Sequence, residues 1–148
     1  MYSAEKQITK ALPKMVRGAS DPALKTALTD HLKETQNQVV RLEEIATLLG
    51  IKPSGKKCAG MEGIIEEGAE ALQEEGEDNI LDLGIIGAGS RVEHYEMSGY
   101  LTAISLAQRM NAADVVSLLK QTLAEEQGAE QKLRKIAASV LKISATGV

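Results

Sequence analysis

Residues 51–77, IKPSGKKCAGMEGIIEEGAEALQEEGE, lie between two long helical stretches and decide how those stretches are joined. Before them a helix is expected over 22–49. Asp21 caps it, Pro22 takes its first position, and Gly50 and Pro53 stop it. Its inward stripe reads Leu24, Leu28, His31, Thr35, Val39, Leu42, Ile45 and Leu49. At about 1.5 Å per residue such a helix is roughly 40 Å long. The segment 51–77 is long enough to run back along it, so the next long helix, expected over 78–110, can start at the same end. Met61, Ile64, Ile65 and Leu72 mark a short helix over 60–75 within the segment.

Working outward, a helix over 4–17 carries Ile8, Leu12 and Met15 on one face and ends at Gly18 and Ser20. A last helix over 112–142 carries Val115, Leu119, Leu123, Leu133, Ile136 and Val140, with Asn111 and Asp114 read as its N-terminal cap region. Ser144 to Val148 are expected to fray. Only a few residues join the first helix to the second, and the third long helix to the last. Each pair is therefore an antiparallel hairpin, and a long crossover links the hairpins. That is an all-α, ferritin-like four-helix bundle whose crossover carries a short extra helix, with 1–148 read as a single domain.

Composition agrees with this class. The chain has 148 residues, no Phe, no Trp and three Tyr, so the core must be aliphatic. β-Branched residues do not alternate as strands require. A net charge of -4 disfavours nucleic acid and anionic membrane as partners. Lys56–Lys57 and Lys132, Arg134 and Lys135 are local and read as solvated. Cys58 is the single cysteine, which excludes an internal disulfide and fits a reducing cytoplasm. No apolar run approaches the ~20 residues of a membrane span, and no signal-peptide segment is read at the N-terminus. The dense acids Glu66, Glu67, Glu70, Glu74, Glu75 and Glu77 read as a solvated face. Gly84, Gly87 and Gly89 lack the context of a phosphate loop and read as sites of close helix packing.

The informative residues are acids that interrupt apolar stripes, because an ionised carboxylate inside a bundle is costly unless it is paired or binds metal. Glu5 shares a face with Ile8 and Leu12. Glu34 and Gln38 flank the second stripe, Glu93 and Glu96 precede Tyr100 and Ile104, and Glu126 and Glu130 interrupt the last stripe. Glu5, Glu34, Glu96 and Glu126 stand at nearly equal distances from their turns, so antiparallel packing puts them at one height. The hairpins also echo each other at an offset of 91 residues: Glu5 falls on Glu96, Glu34 on Glu125, Leu42 on Leu133 and Ile45 on Ile136. Four converging carboxylates repel unless cations join them. Oxygen donors with few imidazoles suit iron or manganese. The common Glu-x-x-His ligand pattern is absent: Asn37 follows Glu34 and Ala129 follows Glu126 at the histidine places. His31, one turn before Glu34, is open between a ligand and a hydrogen-bonded residue. His94 faces away from the Glu93 and Glu96 side, and Tyr100 is open between core filler and donor to the site.

Five motifs in order carry a family resemblance: Tyr2-Ser3-Ala4-Glu5-Lys6-Gln7 with Lys10-Ala11-Leu12-Pro13-Lys14, His31-Leu32-Lys33-Glu34-Thr35, Lys57-Cys58-Ala59-Gly60-Met61-Glu62-Gly63, Val92-Glu93-His94-Tyr95-Glu96, and Leu123-Ala124-Glu125-Glu126. Together they resemble the YciE/YciF stress-protein family over nearly the whole chain. The resemblance implies a rubrerythrin-related ferritin-like bundle, a bacterial source, a cytoplasmic setting, a homodimer and a stress-response role without a defined activity. It implies a site of two metal ions, iron or else manganese, with Glu5, His31, Glu34, Glu93, Glu96, Glu126 and Glu130 as ligands. Iron handling or reduction of peroxide or O2 is the expected chemistry, although the sequence shows no redox partner. The alternative is a non-catalytic structural or interaction protein on the same bundle, without stoichiometric metal. Family members carry extra residues before Tyr2-Ser3-Ala4-Glu5, so Glu5 is expected here in the first turn of a short first helix.

Overall fold

The computed structural model describes residues 1–145 and contains five helices: α1 (Tyr2–Gly18), α2 (Pro22–Leu48), α3 (Ala59–Ala71), α4 (Asp78–Arg109) and α5 (Ala113–Ala145). Among the described residues there is no strand. The turn from α1 to α2 is built by its side chains. Asp21 accepts a hydrogen bond from the Leu24 backbone N–H at 2.9 Å, and Pro22 occupies a position where no donor is needed. Asp82, buried near the start of α4, accepts from the backbone N–H groups of Ser20 and Asp21 at 2.7 Å each. The first hairpin is thereby clasped to the second.

α2 and α4 end in the same way. Gly50 has φ 67° and Asn111 has φ 57°, the left-handed backbone that closes a helix. In each case the next N–H reaches back to the last turn, from Ile51 to Ala46 at 2.9 Å and from Ala112 to Ala107 at 3.0 Å. Asn111 therefore terminates α4 and does not cap α5, which corrects the sequence reading. Asparagine serves there because it tolerates positive φ better than other side chains. α3 stops at Ala71, four residues earlier than expected, and the acids from Glu74 to Glu77 are exposed in the turn that follows. α5 continues through Ser144 to Ala145, while the remaining residues expected to fray, 146–148, lie outside the described residues.

α1 packs on α2, α4 on α5, and α2 on α5, while α3 lies across α1 and α4. The order α1, α2, crossover with α3, α4, α5 gives the expected all-α bundle. Two apolar clusters fill it. The first contains Ile8, Leu12, Leu24, Leu28, Met61, Ile85, Val92 and Leu133. The second contains Ile45, Tyr100, Ile104, Ala107, Val115 and Leu119. Close packing uses glycine at several points, among them Gly89, where a Cβ would come to 3.1 Å from Leu133 Cδ1, and Gly60, where one would enter the Tyr95 ring.

Candidate metal centre

Between the apolar clusters, α1, α2, α4 and α5 all turn polar groups inward. α1 supplies Glu5 from its first turn, α2 supplies His31, Thr35 and Gln38, α4 supplies Glu93 and Glu96, and α5 supplies Thr122 and Glu126. Glu5, Thr35, Gln38, Glu96 and Glu126 have no exposed surface. The inward stripe of α2 steps from His31 to Thr35 and then to Gln38, so the amide, not the expected Val39, faces the core. Alternating steps of four and three keep a 3.6-residue repeat on one line.

One ligand atom from each of His31, Glu93, Glu96 and Glu126 lies within 4.8 Å of the others. His31 Nε2 is 3.2 Å from Glu93 Oε1, and Nδ1 is 3.6 Å from Glu34 Oε2, yet neither nitrogen is aligned for a hydrogen bond. Glu5 joins the group from the side: Tyr100 donates its hydroxyl to Glu5 Oε1. Gln38 donates from Nε2 to Glu126 Oε1 and, at 3.1 Å, to Glu125 Oε2. Both oxygens of Glu96, one each of Glu5, Glu93 and Glu126, and the Gln38 carbonyl are buried without a hydrogen-bond partner.

Burial is the largest influence on all four carboxyls and pushes each upward. Glu5 rises to about 7, held back by the hydrogen bond from Tyr100. Glu96 stands well above the carboxylate range because burial is joined by the charges of Glu5, Glu126 and Glu93. Glu93 is likewise well raised by burial and by the neighbouring Glu126 carboxyl. Glu126 rises less, since Glu93, His31 and Gln38 favour its ionised form. The layer thus gathers four acids whose charges oppose one another in a dry interior. Burial and mutual repulsion favour the neutral form of these acids, most of all for Glu93 and Glu96 on α4.

Two expected ligands stand apart. Glu34 is half-exposed at the rim, 3.6 Å from Lys132 Nζ. Its pKa is lowered, first by the His31 imidazole and then, against some burial, by Lys132. Glu130 is buried but fully engaged. Ser90 donates to Oε2 at 2.7 Å, Arg134 donates to Oε1 at 2.6 Å, and His94 lies 3.3 Å away. Burial raises its pKa, but those partners outweigh it and leave it lowered. His94 is exposed, on the outer side of α4.

The orphaned oxygens and imidazole nitrogens are donors that suit a hard divalent cation, and the residues present fit a metal site. Glu5, His31, Glu93, Glu96 and Glu126 would hold it. Gln38, read from the sequence as flanking the stripe, faces fully inward, and the Arg41 pair behind it was not anticipated as part of the site. Arg41 grips Glu125 through both guanidinium ends at 2.8 Å and donates to Thr122 at 2.7 Å. An amide or arginine on a stripe looks like a boundary residue in sequence. The signal available was the position of Gln38, two turns after His31 on the same face.

The family described as Domain of unknown function (DUF892) matches residues 1–146. Protein YciF of Escherichia coli (strain K12) is 38% identical over 137 residues, covering 92% of this chain and 82% of YciF. The crystal structure of that E. coli stress protein superposes with a TM-score of 0.92 at 37% identity, over 95% of this chain and 89% of the other. YcfI from Rhodopseudomonas palustris, whose description proposes a structural protein, superposes with a TM-score of 0.87 at 43% identity, over 90% of this chain and 85% of the other. Matched from end to end by the family and over most of its length by YciF, the chain belongs to the DUF892 family of YciF-like proteins.

Proposed function

We propose that the chain is a YciF-like stress protein whose buried acid layer binds two metal ions, iron or else manganese, for iron handling or the reduction of O2 or peroxide. The observation that carries this reading is the set of five buried carboxylate oxygens without partners, facing an imidazole whose nitrogens also lack them. Protein interiors leave few polar groups in that state, and a cation satisfies them together. Glu5, His31, Glu93, Glu96 and Glu126 are the proposed ligands, with Glu34, 3.6 Å from His31 Nδ1, placed to steady the imidazole once it ligates. When bound, iron would supply redox cycling. The chain supplies the dry pocket, the carboxylates and Gln38 and Tyr100 to steady them. Elemental analysis after Fe(II) or Mn(II) loading and desalting tests it. About two metals per chain are expected, lost in Glu96→Ala. Well under one per chain removes the proposal.

A second reading draws on the raised carboxyls of the layer. Protons alone neutralise much of the layer, and the same bundle then serves as a structural protein, as the description of the R. palustris relative suggests for that protein. In that case Glu96→Ala stabilises the chain and metal loading leaves its melting temperature unchanged. For setting we propose a homodimer in the bacterial cytoplasm, following the family resemblance. Sedimentation equilibrium at micromolar concentration tests the assembly.

A further inference from the structure

Polar ties between helices surround the acid layer, and they differ in strength. Arg41 of α2 grips Glu125 of α5 at 2.8 Å through both guanidinium ends, Ser90 of α4 donates to Glu130 of α5 at 2.7 Å, and Tyr100 of α4 donates to Glu5 of α1. A second tie between α2 and α5 is loose. Lys132 Nζ lies 3.6 Å from Glu34 Oε1, and the two side chains are 53% and 32% exposed. An exposed ion pair of this length contributes little to stability, so it opens readily.

Inward from that tie, exposure falls step by step along a row of donors. Glu34 Oε2 lies 3.6 Å from Nδ1 of His31, whose side chain is 7% exposed. His31 Nε2 lies 3.2 Å from Oε1 of Glu93, whose side chain is 3% exposed. Neither imidazole nitrogen has a hydrogen-bond partner, and beyond them Glu96 and Glu126 have no exposed surface. Lys132, Glu34, His31 and Glu93 also share one partly open cavity of ≈ 90 Å³ with Lys14, and its remaining walls are largely aliphatic, as at Leu28, Val92 and Leu133. A cation gives up its water only where other donors replace it, so its path follows the polar row and not the aliphatic walls.

We infer that Glu34 and the Nδ1 side of His31 form an entry subsite, where a divalent cation from solvent is first held before it passes along the imidazole to Glu93 and the buried layer. The Lys132 ammonium competes with the cation for Glu34 and so sets how fast it enters. This inference rests on the metal reading and adds to it the path of loading. It gives Glu34 a part in the arrival of the ion, whereas steadying His31 alone would affect only its retention.

Loading of the whole chain with Co(II) tests it, because the visible absorption of Co(II) intensifies when carboxylate and imidazole replace its water. Stopped-flow mixing gives the rate of entry, elemental analysis the final count, and transfer to an excess of coloured chelator the rate of release. Glu34→Gln should slow entry by about ten-fold and leave the final count unchanged. Lys132→Ala should speed entry by about three-fold at low salt. Lys135→Ala removes the same charge from α5 outside this cavity and should leave the rate unchanged. All three side chains are exposed or half-exposed, so the variants should fold. A normal count with entry unslowed in Glu34→Gln, or equal effects of Lys132→Ala and Lys135→Ala, overturns the entry subsite alone. Well under one metal per chain in the unaltered protein overturns the metal reading and the subsite with it.

Discussion

Tyr100 donates its buried hydroxyl to Glu5, tying the middle of α4 to the first turn of α1. The phenol is itself pushed well above its ordinary pKa by burial and by the Glu5 charge, so it acts as a fixed donor. Tyr100→Phe keeps the ring and removes only the donor. With one Glu5 oxygen already lacking a partner, the variant should lose about 1–3 kcal/mol at pH 8 in the metal-free state. Urea denaturation measures it, and a loss under about 0.5 kcal/mol would show that the bond contributes little.

Metal-free stability should fall as pH rises from 5 to 8. Glu5 moves from 4.5 to about 7 on folding, and Glu93 and Glu96 are raised further, chiefly by burial. In that window the folded chain holds protons that the unfolded chain has released, so rising pH favours unfolding. The loss begins near the ordinary carboxylate value and, for Glu5, is complete above about 7. Glu34 and Glu130 are lowered and act oppositely, costing stability only as pH drops below 4.5. Thermal melts across pH 4 to 9 should peak near pH 5. Saturating metal should reverse the alkaline arm, because ligands bind metal deprotonated.

Glu34 and Glu126 should separate as orienting group and ligand. Glu126→Gln is expected to lower the bound-metal count, since Glu126 sits in the buried cluster. Glu34→Gln should keep the count and weaken affinity by about 10–100-fold, the usual effect of losing a partner behind a ligating histidine. Competition with a coloured chelator reads both. Equal loss of metal in the two variants would return Glu34 to the ligand set.

Arg41 tests the support behind Gln38. It is nearly buried and doubly bonded to Glu125, which keeps partial exposure. Arg41→Ala should destabilise by about 1–3 kcal/mol, discounted from a fully buried pair for that exposure. Arg41→Ala with Glu125→Ala should recover part of the loss, and strict additivity in the cycle would show that the pair is not coupled.

The bundle was legible because its signals are local. Asp21-Pro22 and Gly50 mark helix ends chemically, and the length of 51–77 leaves room for a return crossover. The site was legible in height but not fully in rotation. The offset that carries Glu5 onto Glu96 carries Glu34 onto Glu125, and both of those lie outside the cluster, at Lys132 on the rim and beside the nearly buried Arg41. Under the same offset the buried counterpart of Glu126 is Thr35. One residue of slip moves a side chain by about 100° around a helix, enough to exchange a ligand for a rim residue. Gln38 was visible as a polar residue beside the stripe, but its partners Glu125 and Glu126 lie across the bundle, which no local pattern displays.

The acid layer also has a mechanical meaning. It cuts the aliphatic interior into two blocks that share no continuous apolar contact through that level, so cooperativity must pass through the polar groups or the backbone. Without a cation, either block can open at less cost to the other. A bound cation would weld the blocks into one unfolding unit, making the centre a setting for how the whole rod comes apart as well as a place for chemistry.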